Sequence, residues 1–359
     1  MVAHHSTCKM MEIHHSEHMA NKTTLEKIAK AAGVSITTVD RVVNQRGGVS
    51  PKSEAKVLEW ASRLDLDRRI FRAHVKSLRI AVLIPSPSNP FFATMRDAFH
   101  ALEGSSEDIR MSCFIHYITS PDAVVTAKKV KELAGQYDGI IICSPDYPVI
   151  SDAILDASKS VPVVTLVNDL PTSGRIAYVG PDNRKIGRAA GELMGRFIGR
   201  DGGKVLLMLG DHRIMGHQER EMGFRAVLRE RFPKVRLLDI VESEESSERA
   251  GYLAKTALLT EPDVSGIYNV SAGNYAIAQT LQELGCGESV ILITHELSPR
   301  RCELLKSGLV DAVIDQNPRM EARKSLDVLA HHFQRSEMEK SPDPFTPFEI
   351  FLRENCPNL

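Results

Sequence analysis

At 359 residues and 43% hydrophobic content, the chain has room for two or three domains with cores of their own. No run reaches the ~18 apolar residues of a membrane span, and six scattered cysteines without a C-x-x-C pair point to reduced cytosolic thiols rather than a zinc ribbon or disulfide frame. The net charge of -1 conceals a division: twelve Lys/Arg stand against six Asp/Glu from Lys22 to Lys76, and 32 against 38 from Ser77 onward, so a polyanionic partner is expected for the head alone.

Residues 1–22 are polar, carry His4, His5, His14, His15 and His18, and are expected to form a disordered tail. They contain no apolar core of an export signal and nothing that would hold the histidines in a metal-binding shape. Met19, in M-A-N-K-T-T-L, is an alternative translation start.

Residues 23–66 read as three short helices. Thr23 and Glu26 have the spacing of a capping box, followed by the apolar stripe Leu25, Ile28, Ala29 and a turn at Gly33. Ser35 caps a second helix with Val39, Val42 and Val43 inward and Ile36, Thr37, Asp40, Arg41 and Asn44 outward. Ser50 and Pro51 begin a third, burying Val57, Ala61 and Leu64, with Trp60 beside that stripe in a packing role. Two helices joined at a glycine and braced by a third form a helix-turn-helix, whose outward residues are the candidate readers of DNA.

Residues 67–77 are a polar, basic linker, and 78–359 alternate apolar strand, turn and amphipathic helix. Strands are predicted at Leu78–Ile84, Met111–Tyr117, Gly139–Cys143, Pro162–Val167, Ala177–Val179, Lys204–Leu209, Val235–Val241, Gly266–Val270, Val290–Thr294, Ala312–Asp315 and Phe348–Leu352, with helices such as Phe92–Leu102, Ile186–Ile198 and Met320–Phe333 between them. This alternation predicts parallel sheets covered on both faces, and so many strands predict two doubly wound sheets in two lobes: one of about 78–178 plus 312–335, the other of about 179–311 plus 345–355. Glycines 187, 191 and 195 predict a close helix contact. Nothing resembling a tetramerising leucine heptad follows, so a homodimer is expected.

Ligands of such folds bind beyond the carboxyl ends of the strands. The loops selected by that rule supply Asn89, Phe91, Phe92, Asp146, Asn168, Asn274, Glu296 and Gln316, amides and carboxylates for hydroxyl groups and rings for C–H faces; each has an alternative as a loop cap or core aromatic. A small polar metabolite of sugar or polyol type fits that chemistry. No enzyme, cofactor or metal is expected: there is no G-x-G-x-x-G after a strand, no P-loop at Asp201–Lys204, no H-E-x-x-H and no G-x-S-x-G, and no nucleophile accompanies His212, His217 or His295.

The head sequence A-x-x-A-G-V-S-x-x-T-V-x-R-V-V-N from Ala29 to Asn44, followed by V-S-P-K-S-E-A-K-V, resembles the bacterial lactose/galactose repressor family, and N-P-F-F at Asn89–Phe92 with D-A-V-I-D-Q at Asp311–Gln316 resembles ribose-type periplasmic sugar-binding proteins. The resemblance implies an all-α head on a two-lobed α/β core, a homodimer on palindromic double-stranded operator DNA, and an effector that closes the cleft between lobes. It places Ile36, Thr37 and Arg41 at base-contacting positions, and Thr24, Thr38 and Asn44 at phosphate or capping positions, Thr38 being equally explicable as plain helix surface.

Three departures from the family pattern stand out. Asp40 replaces a phosphate-facing serine and needs neutralising by Arg41 or Lys27, or a cytosine amine to accept from. The linker is short and lacks the leucine that wedges the minor groove, leaving Ile70 or Phe71 for that task. Gln218 aligns with a sugar-clamping arginine, with Arg220 two residues on, and His295 aligns near a sugar-binding aspartate. A solute-binding protein of sugar uptake is the alternative that the body alone would permit.

Overall fold

The computed structural model describes residues 25–43, 46–64, 77–105, 110–335 and 342–357. The histidines of the tail, Thr23, and the linker residues Ile70 and Phe71 lie outside them. The chain divides into two compact units, Met1–Lys76 and Ser77–Leu359.

In the first unit, α1 (Leu25–Ala32) ends at Gly33, whose φ of +66° belongs to the left-handed region that a side chain disfavours. The Val34 N–H turns back to the Ala29 carbonyl at 3.0 Å. Ser35 caps α2 (Ile36–Val43), its Oγ accepting from the Thr38 N–H at 3.0 Å, and Ser50 caps α3 (Pro51–Arg63) by accepting from Ser53 N–H at 3.2 Å. The three helices close over Ile28, Ala29, Val39, Val42, Val43, Val57 and Ala61. Trp60 packs at the edge of this core with the Arg63 guanidinium 5.1 Å above its ring, a packing role as expected.

The second unit holds two sheets. The first is built from β1 (Leu78–Ile84), β2 (Met111–Tyr117), β3 (Gly139–Ile142), β4 (Val163–Leu166), β5 (Ala177–Pro181) and β12 (Phe345–Thr346), in the order β12-β5-β4-β3-β1-β2, all parallel. The second comprises β6 (Gly203–Leu209), β7 (Val235–Leu237), β8 (Val241–Glu242), β9 (Val264–Asn269), β10 (Ile291–His295), β11 (Ala312–Asp315) and β13 (Glu349–Phe351), in the order β13-β11-β10-β9-β6-β7, with β8 also beside β6 and β13 antiparallel. Helices α4 (Pro90–Ser105), α5 (Ala123–Ala134), α6 (Pro148–Ala157) and α12 (Pro318–His332) belong to the first lobe. The second carries α7 (Asn183–Ile198), α8 (Met215–Arg231), α9 (Ser247–Thr260), α10 (Asn274–Glu283) and α11 (Pro299–Ser307). Strands such as β3, G-I-I-I, and β4, V-V-T-L, are buried along their whole length, as sheets covered on both faces require.

Two expectations change. The segment from Val235 to Val241 is not one strand: β7 and β8 flank a break at residues 238–240, where Asp239 interrupts the apolar run. The lobe boundary also moves. β11 pairs with β10 and β13 in the second sheet, so the chain crosses back only at Gln316 and Asn317, and β12 belongs to the first sheet although β13 belongs to the second. The lobes are therefore linked by three crossings: β5 to α7, β11 to α12, and β12 to β13.

Candidate functional site

In the head, α2 buries Val39, Val42 and Val43, which turns Ile36, Thr37, Asp40 and Arg41 to one outward face. Ile36, 50% exposed, is a β-branched apolar residue that the head core does not use. Thr38 is only partly exposed and its hydroxyl lies 2.8 Å from Ser35 Oγ, so it completes the cap of its own helix. The Asp40 carboxylate pairs with Arg46 at 2.9 Å, a partner outside the helix that was not among those expected for it. Thr24 and Asn44 lie outside the described residues.

In the second unit, both sheets have the order 2-1-3-4-5 about a central pair, so the loops after β1 and β3, and those after β6 and β9, diverge at a switch point and leave a crevice. A cavity of about 640 Å³ lies there, and the carboxyl ends of eight strands reach it. From the first lobe come Asn89, Phe91, Phe92, Ser144 and Asn168; from the second come His217, Arg220, Glu245 and Arg301, with Glu296 and Gln316 after β10 and β11. Five described non-glycine residues with positive φ, namely Val167, Glu244, Glu245, Glu296 and Asn317, cluster in these loops. Such conformations cost about 1–3 kcal/mol each and persist where the surrounding structure over-determines them, which is common at binding sites.

The floor of the cavity is Arg220, 4% exposed. Its Nε donates to Asn183 Oδ1 at 2.8 Å and its Nη2 to Gln316 Oε1 at 3.0 Å, so one guanidinium joins two of the three lobe crossings. Glu321, within reach of its charge, is wholly buried, and its carboxyl oxygens find no hydrogen-bond partner among the described residues; burial holds its proton well above the usual carboxyl range, against the pull of Arg220. Burial likewise drops His217 to about 3, helped by Arg220, so this imidazole is neutral, and its Nδ1 accepts the Asp211 N–H at 3.4 Å. Arg301 lies 3.6 Å from Glu296, and with the Asn274 amide turned so that its side-chain oxygen faces the guanidinium, Arg301 Nε and Nη2 donate to that oxygen at 2.9 and 3.1 Å. At the rim, Asp211, His212 and Glu242 bring potential metal-ligand atoms within 4.8 Å of one another, but the Asp211 carboxylate is already held by Arg213 at 2.6 Å, so the group is a charge network rather than a cation cage.

Residues 24–65 match the family described as bacterial regulatory proteins, lacI family, and residues 80–337 match the periplasmic binding protein domain. The chain belongs to the LacI family of bacterial regulators. LacI-family relatives include the transcriptional regulator DegA of Bacillus subtilis, 28% identical over 260 residues covering 68% of this chain and 74% of that protein. The ribose operon repressor of Halalkalibacterium halodurans is 26% identical over 253 residues, 68% and 71% of the two chains. Solved structures of like fold include GanP, a glucose-galactose binding protein from Geobacillus stearothermophilus, with a TM-score of 0.70 at 23% identity over 79% of this chain and 100% of that one. A solute-binding protein from Burkholderia graminis in complex with D-arabinose gives 0.71 at 22% identity over 78% and 96%. As a LacI-family member the chain is a DNA-binding transcription regulator, and no described helix is long and apolar enough to cross a membrane.

Within this LacI-family body, Asn89, Phe91, Phe92, Asn168, Arg220, Glu296 and Gln316 line the cavity, and four other expected residues do not. His295 points into the second lobe, 2% exposed, with its Nε2 2.8 Å from the Tyr268 hydroxyl. Asn274 is buried among Asn269, Thr294 and Arg301. Gln218 lies one position past His217 on α8, a turn of about 100° that sends its amide to the His212 carbonyl. Asp146 accepts from Ser151 Oγ at 2.8 Å. His217, expected as a polar ligand contact rather than a base, lines the cavity, whereas Glu245 and Arg301 were not anticipated there.

Glu245 gives this cavity a pH dependence. Burial, then Glu296 and Asp211, raise its carboxyl from 4.5 to about 7, although 45% of the side-chain surface is exposed. A folded value above the unfolded one means the native state holds the proton longer, so its contribution to stability is full below about 4.5 and is lost as pH rises through about 7. Glu245→Gln is expected to raise the thermal midpoint relative to wild type at pH 8 and to leave it level at about pH 4, below the unfolded value; equal differences at both would show that the carboxyl titrates normally.

Proposed function

We propose that this LacI-family regulator is a repressor whose DNA binding is controlled by a small polar metabolite, a sugar, polyol or related compound, held between the two lobes, and that it acts as a homodimer. The observation that carries the reading is the cavity at the carboxyl ends of both sheets, with rings from Phe91 and Phe92 on one wall and the Arg220, Glu296 and Gln316 polar groups on the other. Rings that cover C–H faces, beside acceptors and donors for hydroxyls, suit a polyhydroxylated molecule of low net charge. The named cargo of the structural neighbours, glucose and galactose in one and D-arabinose in another, is consistent with that class.

In the head, Ile36, Thr37 and Arg41 are the base-reading residues and Asp40 borders them. Thr38 acts by capping α2. An arginine on the first exposed turns of a recognition helix pairs with guanine through two parallel hydrogen bonds.

The test begins with duplexes selected from a random pool by the full-length protein. Arg41→Ala should weaken the selected duplex by about 1–3 kcal/mol and relax choice at one position, while log affinity falls linearly with log salt. Adding D-ribose, D-arabinose, D-galactose or myo-inositol should change the fraction of duplex retained. A flat salt response, with these solutes still bound, would instead favour a solute-binding protein without a regulatory role.

A further inference from the structure

We propose that Arg46 is a positioning residue for operator recognition: it neutralises Asp40 on the outward face of α2 and thereby lets a carboxylate stand beside DNA phosphates and select the base it meets. The inference rests on the reading that this helix enters the major groove. Asp40 follows Ile36 by four residues and Thr37 by three, so the three side chains share one stripe, with Arg41 beside them. A carboxylate on that stripe comes within a Debye length of the phosphates, where like charges repel.

The structure supplies a counter-charge from outside the helix. Arg46 Nη1 lies 2.9 Å from Asp40 Oδ2, and the Arg46 backbone N–H donates to the Arg41 carbonyl, also at 2.9 Å. Arg46 is thus attached to the end of α2 at two points. The chain then turns through Gly47 and Gly48, with φ of +64° and +74°. A Cβ at Gly48 would make only an ordinary van der Waals contact with Arg41 Nη1, at 3.5 Å, so this turn carries the chain past the Arg41 guanidinium while Arg46 pairs with Asp40.

An ion pair with partners 65% and 33% exposed contributes little to folding, so its effect is expected in the complex rather than in the free head. A carboxylate accepts hydrogen bonds and cannot donate them, which suits the cytosine amine and opposes the acceptor edge of guanine.

Full-length wild type, Arg46→Ala, Asp40→Ser and the double variant are compared on the duplex that wild type selects. Arg46→Ala is expected to weaken binding about tenfold, by leaving like charges juxtaposed, but to cost less than about twofold when Asp40 is already serine. Asp40→Ser should remove a cytosine preference at one position, and Arg46→Lys, which keeps the charge, should retain most of the affinity. An equal loss from Arg46→Ala in both backgrounds overturns the proposal, because Arg46 would then act by itself on a phosphate. A loss that accompanies a lower melting temperature of the head and is not rescued by Asp40→Ser overturns it as well. If wild type selects no duplex at all, the groove-reading assignment falls and this one with it; if selection succeeds and rescue fails, only this one falls.

Discussion

Arg220→Met is expected to lower the thermal midpoint of the body by on the order of 10 °C and to abolish the response to effector. The guanidinium is nearly inaccessible and joins Asn183 and Gln316, which sit on two different lobe crossings, with the buried Glu321 within reach of its charge. Replacing a whole buried polar network by apolar groups can be neutral, but here only the donor is removed. The acceptors Asn183 Oδ1 and Gln316 Oε1 stay buried without it, and breaking a buried charged network by one partner costs about 3–5 kcal/mol. In a domain of this size each kcal/mol moves the midpoint by roughly 2–4 °C. Arg220→Lys should recover only part, since an ammonium cannot present the fork that reaches both amides. An unchanged midpoint in Arg220→Met would mean the crossings are held by other contacts. DNA selection by the same variant should still succeed, because the head has its own core.

The second large effect is expected from Gly187→Ala. α7 and α8 meet backbone to backbone: a Cβ at Gly187 would stand 2.0 Å from the Arg220 carbonyl oxygen, and one at Gly223 would stand 2.2 Å from that of Arg184. Neither neighbour is the end of a flexible side chain, so the helices themselves must separate, at a loss of at least about 3 kcal/mol, the upper end for overpacking. Gly191→Ala, whose Cβ meets the Phe224 carbonyl at 3.0 Å, should be milder. Urea midpoints of the two variants decide the matter, and equal values would refute the geometric account. The clash at Gly187 falls on the backbone of Arg220, so the same substitution should also weaken effector response.

The head was legible in the sequence because its signals are local. A cap at Ser35, a glycine turn and two apolar stripes occupy consecutive residues, and the structure assembles them as written. In the body, periodicity located strands and therefore the loops around the cavity, but it did not determine which side chain in a loop faces inward. One step along α8 separates His217, which lines the cavity, from Gln218, which does not; one step after β10 separates Glu296 from His295. Glu245 was invisible for another reason. The loop that carries it follows β8, a strand of two residues that the pattern merged with β7, and left-handed φ at two successive glutamates has no sequence signature. The place of β11 in the second sheet depends on pairing with β10, which alternation along one strand cannot reveal.

The lobes also grip each other directly. The Asp146 N–H donates to the Arg213 carbonyl at 3.2 Å, the Arg213 guanidinium lies 5.2 Å above the Tyr147 ring, and the Gly216 N–H donates to Asn168 Oδ1 at 3.2 Å. Each of these bonds joins one jaw to the other and is one that a metabolite does not have to make. The dose at which the regulator answers is then a property of the clasp as well as of the chamber: loosening the contact of Arg213 with Tyr147, neither of which lines the cavity, would raise the concentration needed, and tightening it would lower it, with no change in the residues that touch the metabolite. Sensitivity and selectivity, in such an arrangement, can evolve on different parts of the same cleft.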